Sequence, residues 1–149
     1  MDRQYVIENA RELTRLRNLV SSLAAKELSL PLYREGWTVA VALAHLAFWD
    51  QRRLLLIRLW REKGVEPVPI DTNTTNDALL PFLLAIPPRK AAAMAVSIAT
   101  ELDRELETLP PGFITALEKL QDRHALNRAV HRQTHLDDIE KLLGRQGKK

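Results

Sequence analysis

The sequence predicts an all-α protein, an antiparallel four-helix bundle with a short extra helix in the second-to-third crossover, and three observations carry that expectation. Apolar residues recur at three- and four-residue steps rather than alternating. Prolines and glycines divide the chain into four long stretches joined by short connections. No stretch reads as a strand. The 149 residues suit a single domain, 1–149, with 145–149 as a frayed tail. A compact chain of this length buries roughly 70% of its unfolded surface. It therefore needs no metal or disulfide staple, and a bound metal would serve function.

The first helix is expected from about Asp2 to Lys26, where Val6, Ala10, Leu13, Leu16, Val20 and Leu23 form one apolar stripe. Pro31 and Gly36 mark a loop, and Thr38 is an N-cap for a second helix over Val39–Lys63. That helix is apolar almost all round from Val41 to Trp60, so it should be the most buried. Gly64 to Asn76 reads as a loop whose polar run, Asp71 to Asn76, offers caps for a short helix over Asp77–Ile86. Pro87 and Pro88 open the third long helix, Pro88–Leu109, because proline is tolerated in a first turn. Its small residues Ala91 to Ala95 allow a close neighbour. Pro110, Pro111 and Gly112 end it, and the last helix runs from Phe113 to Leu143, stopping at Gly144, with an irregularity near Gln121-Asp122-Arg123.

Composition excludes several classes of function. With no cysteine there is no thiolate zinc site, no iron–sulfur cluster and no cysteine nucleophile. No run of about 18 apolar residues is present and the first residues lack a signal-peptide pattern, so the expectation is a soluble, cytoplasmic protein with no membrane partner. The net charge of +3 is small, and its basic residues lie scattered among acids, which argues against a nucleic-acid partner. All five glycines are isolated, leaving no Gly-rich phosphate loop or dinucleotide fingerprint.

Chemistry concentrates in the histidines. Of four, three fall in the last helix as His124, His131 and His135. His131 and His135 lie about 40° apart around a helix and about 6 Å along its axis, the spacing at which two imidazoles converge on one ion. They are either half a metal site or a pair of solvated side chains. On a continuous helix His124, Asn127, His131, His135 and Asp138 fall within about 60° of one meridian, between Leu117 and Leu142. Ala125, Ala129, Leu136 and Leu143 form a second apolar flank that competes to be the core face. The fourth histidine, His45, lies in the apolar run Val41 to Trp49. Desolvating an imidazole is costly unless its nitrogens find partners, so His45 is either a satisfied core residue or a third ligand.

Three segments then make a pattern: Gly36-Trp37-Thr38-Val39, His45-Leu46 eight residues after the Trp, and His131-Arg132-Gln133-Thr134-His135-Leu136-Asp137-Asp138-Ile139. Together they resemble the DinB-like superfamily, which includes YfiT-type metal-dependent hydrolases, thiol-dependent S-transferases and the N-terminal domain of mycothiol-dependent maleylpyruvate isomerase. The resemblance implies a four-helix bundle of DinB/YfiT type holding a divalent metal through His45, His131 and His135. In the isomerase branch a carboxylate takes the place occupied here by His131, so the chain is more similar to the three-histidine members.

Three neutral imidazoles would leave a divalent ion at least one open position, as in a catalytic site. Such an ion can make either a water or a thiol nucleophilic at neutral pH, so hydrolysis and thiol S-transfer on a small-molecule substrate are both expected. Zinc or nickel suits nitrogen ligands best, with ferrous iron also fitting, and a low-molecular-weight thiol is a candidate second cofactor. Asp138, one turn beyond His135, is the candidate acceptor for that ring's other N–H. His124 is a candidate acid/base on the substrate side. Asn127 either contacts a ligand or fills a polar bundle mouth, and Arg52, seven residues after His45, is a paired core arginine or an anion anchor. Trp37, Trp49 and Trp60 read as core and loop anchors. The alternative function is a non-enzymatic protein that binds a metal or small ligand. Surplus alanine and leucine faces point to a homodimer.

Overall fold

The structure is a computed structural model that describes residues 3–122 and 124–144. Its helices are α1 (Gln4–Ser22), α2 (Ala25–Leu28), α3 (Val39–Lys63), α4 (Thr72–Leu84), α5 (Pro88–Glu107), α6 (Pro111–Glu118) and α7 (Ala129–Leu142). Among the described residues the one β pairing is an isolated bridge between Pro31 and Thr38, and no helix is long and apolar enough to cross a membrane. The long helices touch in a closed order: α3 on α5, α5 on α1, α1 on α7 and α7 on α3.

The most extensive of these contacts joins α3 to α5. It follows from side-chain size, since Ala91, Ala92, Ala95 and Ala99 are at most 1% exposed and let the two backbones approach. As its composition implies, α3 is the most buried helix, with every residue from Val39 to Ala47 inside. Thr38 Oγ1 accepts the Val41 N–H at 3.1 Å and Gly64 closes the other end at φ +97°.

The apolar interior is two clusters. One gathers Leu16, Leu43, Ala95 and Leu136; the other gathers Leu54, Ile57, Leu102, Leu106, Ile114 and Leu117. Between them on α1, α3 and α7 lies a polar layer, which α5 meets at Asp103, next to Leu102 of the second cluster. Arg132 of α7, 1% exposed, grips Asp103 of α5 with two parallel bonds, Nη1 to Oδ2 at 2.8 Å and Nη2 to Oδ1 at 2.7 Å. It also reaches Asp50 of α3 at 3.3 Å and the Asn9 carbonyl of α1 at 3.1 Å. Arg128 donates from Nε to the other Asp50 oxygen at 3.0 Å.

Several boundaries differ from the sequence expectation. Helix α1 ends at Ser22 because Leu23 adopts extended backbone; Glu27 Oε1 then accepts the Ala24 N–H at 2.7 Å and starts the separate turn α2. Helix α4 begins at Thr72, not Asp77, because Asp71 takes the Thr74 N–H at 3.1 Å and its hydroxyl at 2.7 Å, turning the polar run into a first turn.

The largest difference is in the expected last helix, Phe113–Leu143, which is two helices separated by residues 119–128. Gln121 sits at φ +55°, a left-handed conformation that a continuous helix cannot contain. The second helix restarts on side chains: Asn9 Oδ1 accepts from the N–H groups of Arg128 and Ala129 at 2.8 and 3.0 Å, and Asn127 Oδ1 accepts from Ala129 at 2.9 Å. His124 and Asn127 therefore do not share a helix face with His131. The expected frayed tail, 145–149, and Arg123 lie outside the described residues.

Arg132 joins α7 to α1, α3 and α5 at once, so removing its charge leaves the half-buried Asp103 without its ion pair and the buried Asp50 with Arg128 alone. Arg132→Met is expected to lower unfolding free energy by about 3–5 kcal/mol, read from urea denaturation at pH 7.

Candidate metal centre

The site forms where α3 meets α7 beneath the loop that precedes α3. That loop folds on itself: Leu32 N–H donates to the Trp37 carbonyl at 3.0 Å and Val39 N–H to the Leu30 carbonyl at 3.0 Å. Gly36, at φ +89°, makes the reversal possible. Its consequence is that Trp37 packs edge-on against His45, ring centroids 5.3 Å apart, with Trp49 at 6.4 Å.

His45, His131 and His135 each offer a ring nitrogen within 4.8 Å of the others. His131 Nε2 lies 3.1 Å from His45 Nε2 and 3.2 Å from His135 Nε2. Two nitrogen lone pairs cannot face each other at that distance without a proton or a cation between them. Nitrogens gripping one ion tetrahedrally at about 2.1 Å stand about 3.4 Å apart, close to the observed spacing. His45 Nδ1 is buried with no protein partner, so Nε2 is where that ring meets polar company. The donor set, three convergent imidazoles, fits a divalent ion of borderline softness.

Burial sets the protonation state. It pushes His45 and His135 down to about 4 and His131 to about 2, with repulsion from neighbouring imidazoles adding to the effect on His45 and His131. All three are neutral at pH 7, the form that can ligate a metal.

Which apolar flank of α7 faces inward is settled by burial: Ala129, Leu136 and Ile139 pack inside together with Arg132. The histidines are half-buried at the edge of that face, where α3 brings His45 to meet them. Core packing and the site are thus compatible on one helix.

Asp138 does not reach His135 directly. The Tyr33 hydroxyl stands between them, 2.8 Å from His135 Nδ1 and donating to Asp138 Oδ2 at 2.6 Å. Since that hydroxyl has one proton and Asp138 takes it, Tyr33 Oη accepts from Nδ1–H, which leaves His135 Nε2 as the nitrogen with a lone pair a metal could take. Tyr33 holds this place in a left-handed conformation, φ +68°, uncommon for a bulky residue and typical of residues held for a purpose. The sequence reading missed Tyr33; its closeness to Gly36 and Trp37 was the one signal.

Beside the triad lies a cavity of about 520 Å³ that touches His45 and His131, and His124, Arg52, Trp49 and Trp60 are in its wall. The two tryptophans therefore line a ligand-sized space as well as anchoring the core and loop. A second cavity of about 630 Å³ reaches His45 and His135 past Tyr33 and Trp37. Asn76, whose Oδ1 accepts the Trp49 indole N–H at 2.9 Å, borders both. Asn127 lies elsewhere, its carbonyl oxygen spent on starting α7 and its amide on Glu8 of α1.

Two outcomes follow. Each triad ring binds protons more weakly folded than unfolded, so for the metal-free chain the unfolded state gains protons below about pH 6.5 and stability falls toward about pH 4. Urea midpoints of metal-free protein should drop over that window, and His131→Gln should flatten the drop. Tyr33→Phe removes the hydroxyl between His135 and Asp138, and should weaken metal binding about 10- to 100-fold in a competitive chelator titration while leaving the circular dichroism unchanged.

No curated protein and no solved structure matches the chain. The DinB superfamily profile matches residues 8–148, a span that contains all three histidines, Tyr33 and the helices that carry them. With nearly its whole length matched, the chain belongs to the DinB superfamily.

Proposed function

We propose that this protein is a divalent-metal-dependent enzyme acting on a small molecule, and that its ring of helix contacts is the antiparallel four-helix bundle of its superfamily. One observation carries the functional reading: three imidazole nitrogens from α3 and α7 converge at 3.1 and 3.2 Å, and two of the rings, His45 and His131, line a cavity of about 520 Å³. That volume lies in the range of small-molecule sites. His45, His131 and His135 would hold the ion, which would supply Lewis acidity and make a thiol or a water nucleophilic at neutral pH.

The two cavities favour thiol transfer over hydrolysis. Both reach His45, one past His131 and one past His135, which suits a reaction that joins two organic molecules. In that reaction the thiol sulfur forms a bond to an electrophilic carbon, the carbon's leaving group departs with the bonding pair, and the thiol proton is released. His124, the fourth histidine of the chain, lines the first cavity and would carry that proton. Tyr33 and Asp138 position His135, and Trp37 and Trp49 fix the ring of His45.

Elemental analysis of the purified full-length chain, with His45→Ala and His131→Ala beside it, tests the metal. A single divalent ion is expected in the wild type and none in either variant, with helical circular dichroism retained. Turnover is then measured on thiol–electrophile pairs and on esters and amides. Metal-dependent thioether formation supports the proposal; faster ester or amide cleavage shifts it to hydrolysis; a bound ion with no turnover on any substrate makes the protein a binding module.

A further inference from the structure

The cavity beside the triad is lined by three guanidinium groups, Arg52, Arg53 and Arg128, and one carboxylate, Asp122. Their pairing is uneven. Arg128 is committed, to Asp50 at 3.0 Å and to the His124 carbonyl at 2.8 Å. Arg53, 7% exposed, gives Nη2 to Asp122 at 2.9 Å and stacks over Trp60 at 5.8 Å, but its Nε is buried without a partner. Arg52 has no ion pair among the described residues; its one hydrogen bond is a long 3.4 Å contact to the Val68 carbonyl, and it lies over the Trp49 ring at 5.8 Å. Asp122 is further divided, taking the His124 N–H at 2.9 Å.

Desolvating a cation without satisfying its donors is costly, and the cost falls when an anion enters. Burial lowers the proton affinity of both Arg52 and Arg53; at Arg53 repulsion from Arg128 adds to it ahead of the attraction of Asp122, whereas at Arg52 Asp122 outweighs Arg128 and burial alone accounts for the shift. Beyond these and the histidines, Thr72 and Asn76 are the polar residues of the wall, and most of the remainder is apolar or aromatic, with Trp49, Leu56, Trp60, Val68, Ile70 and Leu120. Space of this kind takes an apolar body with one charged end.

We propose that Arg52 and Arg53 form an oxyanion-binding subsite, so that the substrate of this cavity is a small organic anion, a carboxylate or phosphate ester on an apolar body. The proposal rests on the cavity being the substrate site of the enzyme proposed above, and it does not depend on the ion. A planar guanidinium fork matches a carboxylate or phosphate edge, and the weakly bonded guanidinium of Arg52, with that of Arg53 beside it on the cavity wall, would supply the donors. The anion would lie along the wall that leads from the two arginines to His131, with its apolar part against Trp49 and Trp60.

Calorimetric titration of the full-length chain, as purified and after EDTA treatment, tests the subsite with 4-phenylbutyrate, phenyl phosphate and the neutral 4-phenylbutyramide. The expected result is that at least one anion binds about tenfold or more tightly than the amide in both preparations, a preference of the size that one charge-assisted pair provides. Whichever anion binds tighter identifies the carboxylate or the phosphate as the source. Arg52→Gln, at a half-buried position with no ion pair to lose, should remove most of the preference without loss of helix; Arg53→Gln should do the same where circular dichroism shows it folded. Equal binding of amide and anions, no binding of any of the three, or a preference unchanged in Arg52→Gln overturns the subsite. Metal content of the same preparations separates the two readings. An intact anion preference in a chain that holds no ion leaves the subsite standing and removes the metalloenzyme, and a bound ion without the preference does the reverse.

Discussion

The centre depends on an arginine that is not part of it. Arg132 stands between His131 and His135 in sequence and points the other way, into the polar layer formed by Asp103, Asp50 and Asn9. A helix with three buried apolar residues, Ala129, Leu136 and Ile139, could rotate or slide at small cost, since apolar contacts are not directional. A bidentate guanidinium–carboxylate pair is directional, and buried it tolerates little displacement. With α7 fixed about its axis by Arg132, the residues on either side of it can face only the groove toward α3, where His45 lies. The charge in the core thus sets the angle at which the ligands are presented.

The same layer explains why the chain breaks before α7. Asn9 uses its carbonyl oxygen on the first N–H groups of α7 and its amide on the Leu126 carbonyl at 3.0 Å, so one side chain of α1 both ends the irregular segment and begins the helix. Two residues before α7 then tie to α3, Asp122 to Arg53 and Arg128 to Asp50, while Arg128 also holds the His124 carbonyl. A continuous helix from Phe113 to Leu143 would place His124 on the histidine face about 10 Å from His131 along the axis. The break instead sets His124 in the wall of the cavity that His131 also lines.

What could be read beforehand follows from the range of each interaction. Helix α3 was legible at both ends because Thr38 and Gly64 act within one turn. The pairing of His131 with His135 is a property of helix geometry alone, and His45 stood out as a polar group in an apolar run. Asn9 as the cap of α7 was not legible, because it acts across 119 residues of sequence. Nor was Tyr33, which meets Asp138 across 105 residues and from a backbone conformation that its residue type disfavours. Arg132 did carry a signal. It is a charge three residues after Ala129 and four before Leu136 on the flank that turned inward; Asp50 likewise stands four residues after Leu46 and four before Leu54, and Asp103 four after Ala99 and three before Leu106.

Charge balance ties the ligand cluster to its surroundings. Neutral imidazoles bring no negative charge to a cation, and Arg128 close by makes the field at His131 more positive still, which helps keep that ring unprotonated. Acids compensate at some distance: Asp50 offsets Arg128 and Arg132, and Asp138 reaches His135 through the Tyr33 hydroxyl. What these acids leave uncompensated is greatest along the cavity wall, at Arg52 and at the unpartnered edge of Arg53. A divalent ion on the triad would add to that excess, and an anion in the cavity would reduce it. Ion and anion would therefore favour each other's binding through the field between them, reciprocally and without any movement of the helices. A site built this way would hold a cation most firmly with an anionic ligand present, so that the proposed anion would serve the histidine cluster as well as the cavity wall.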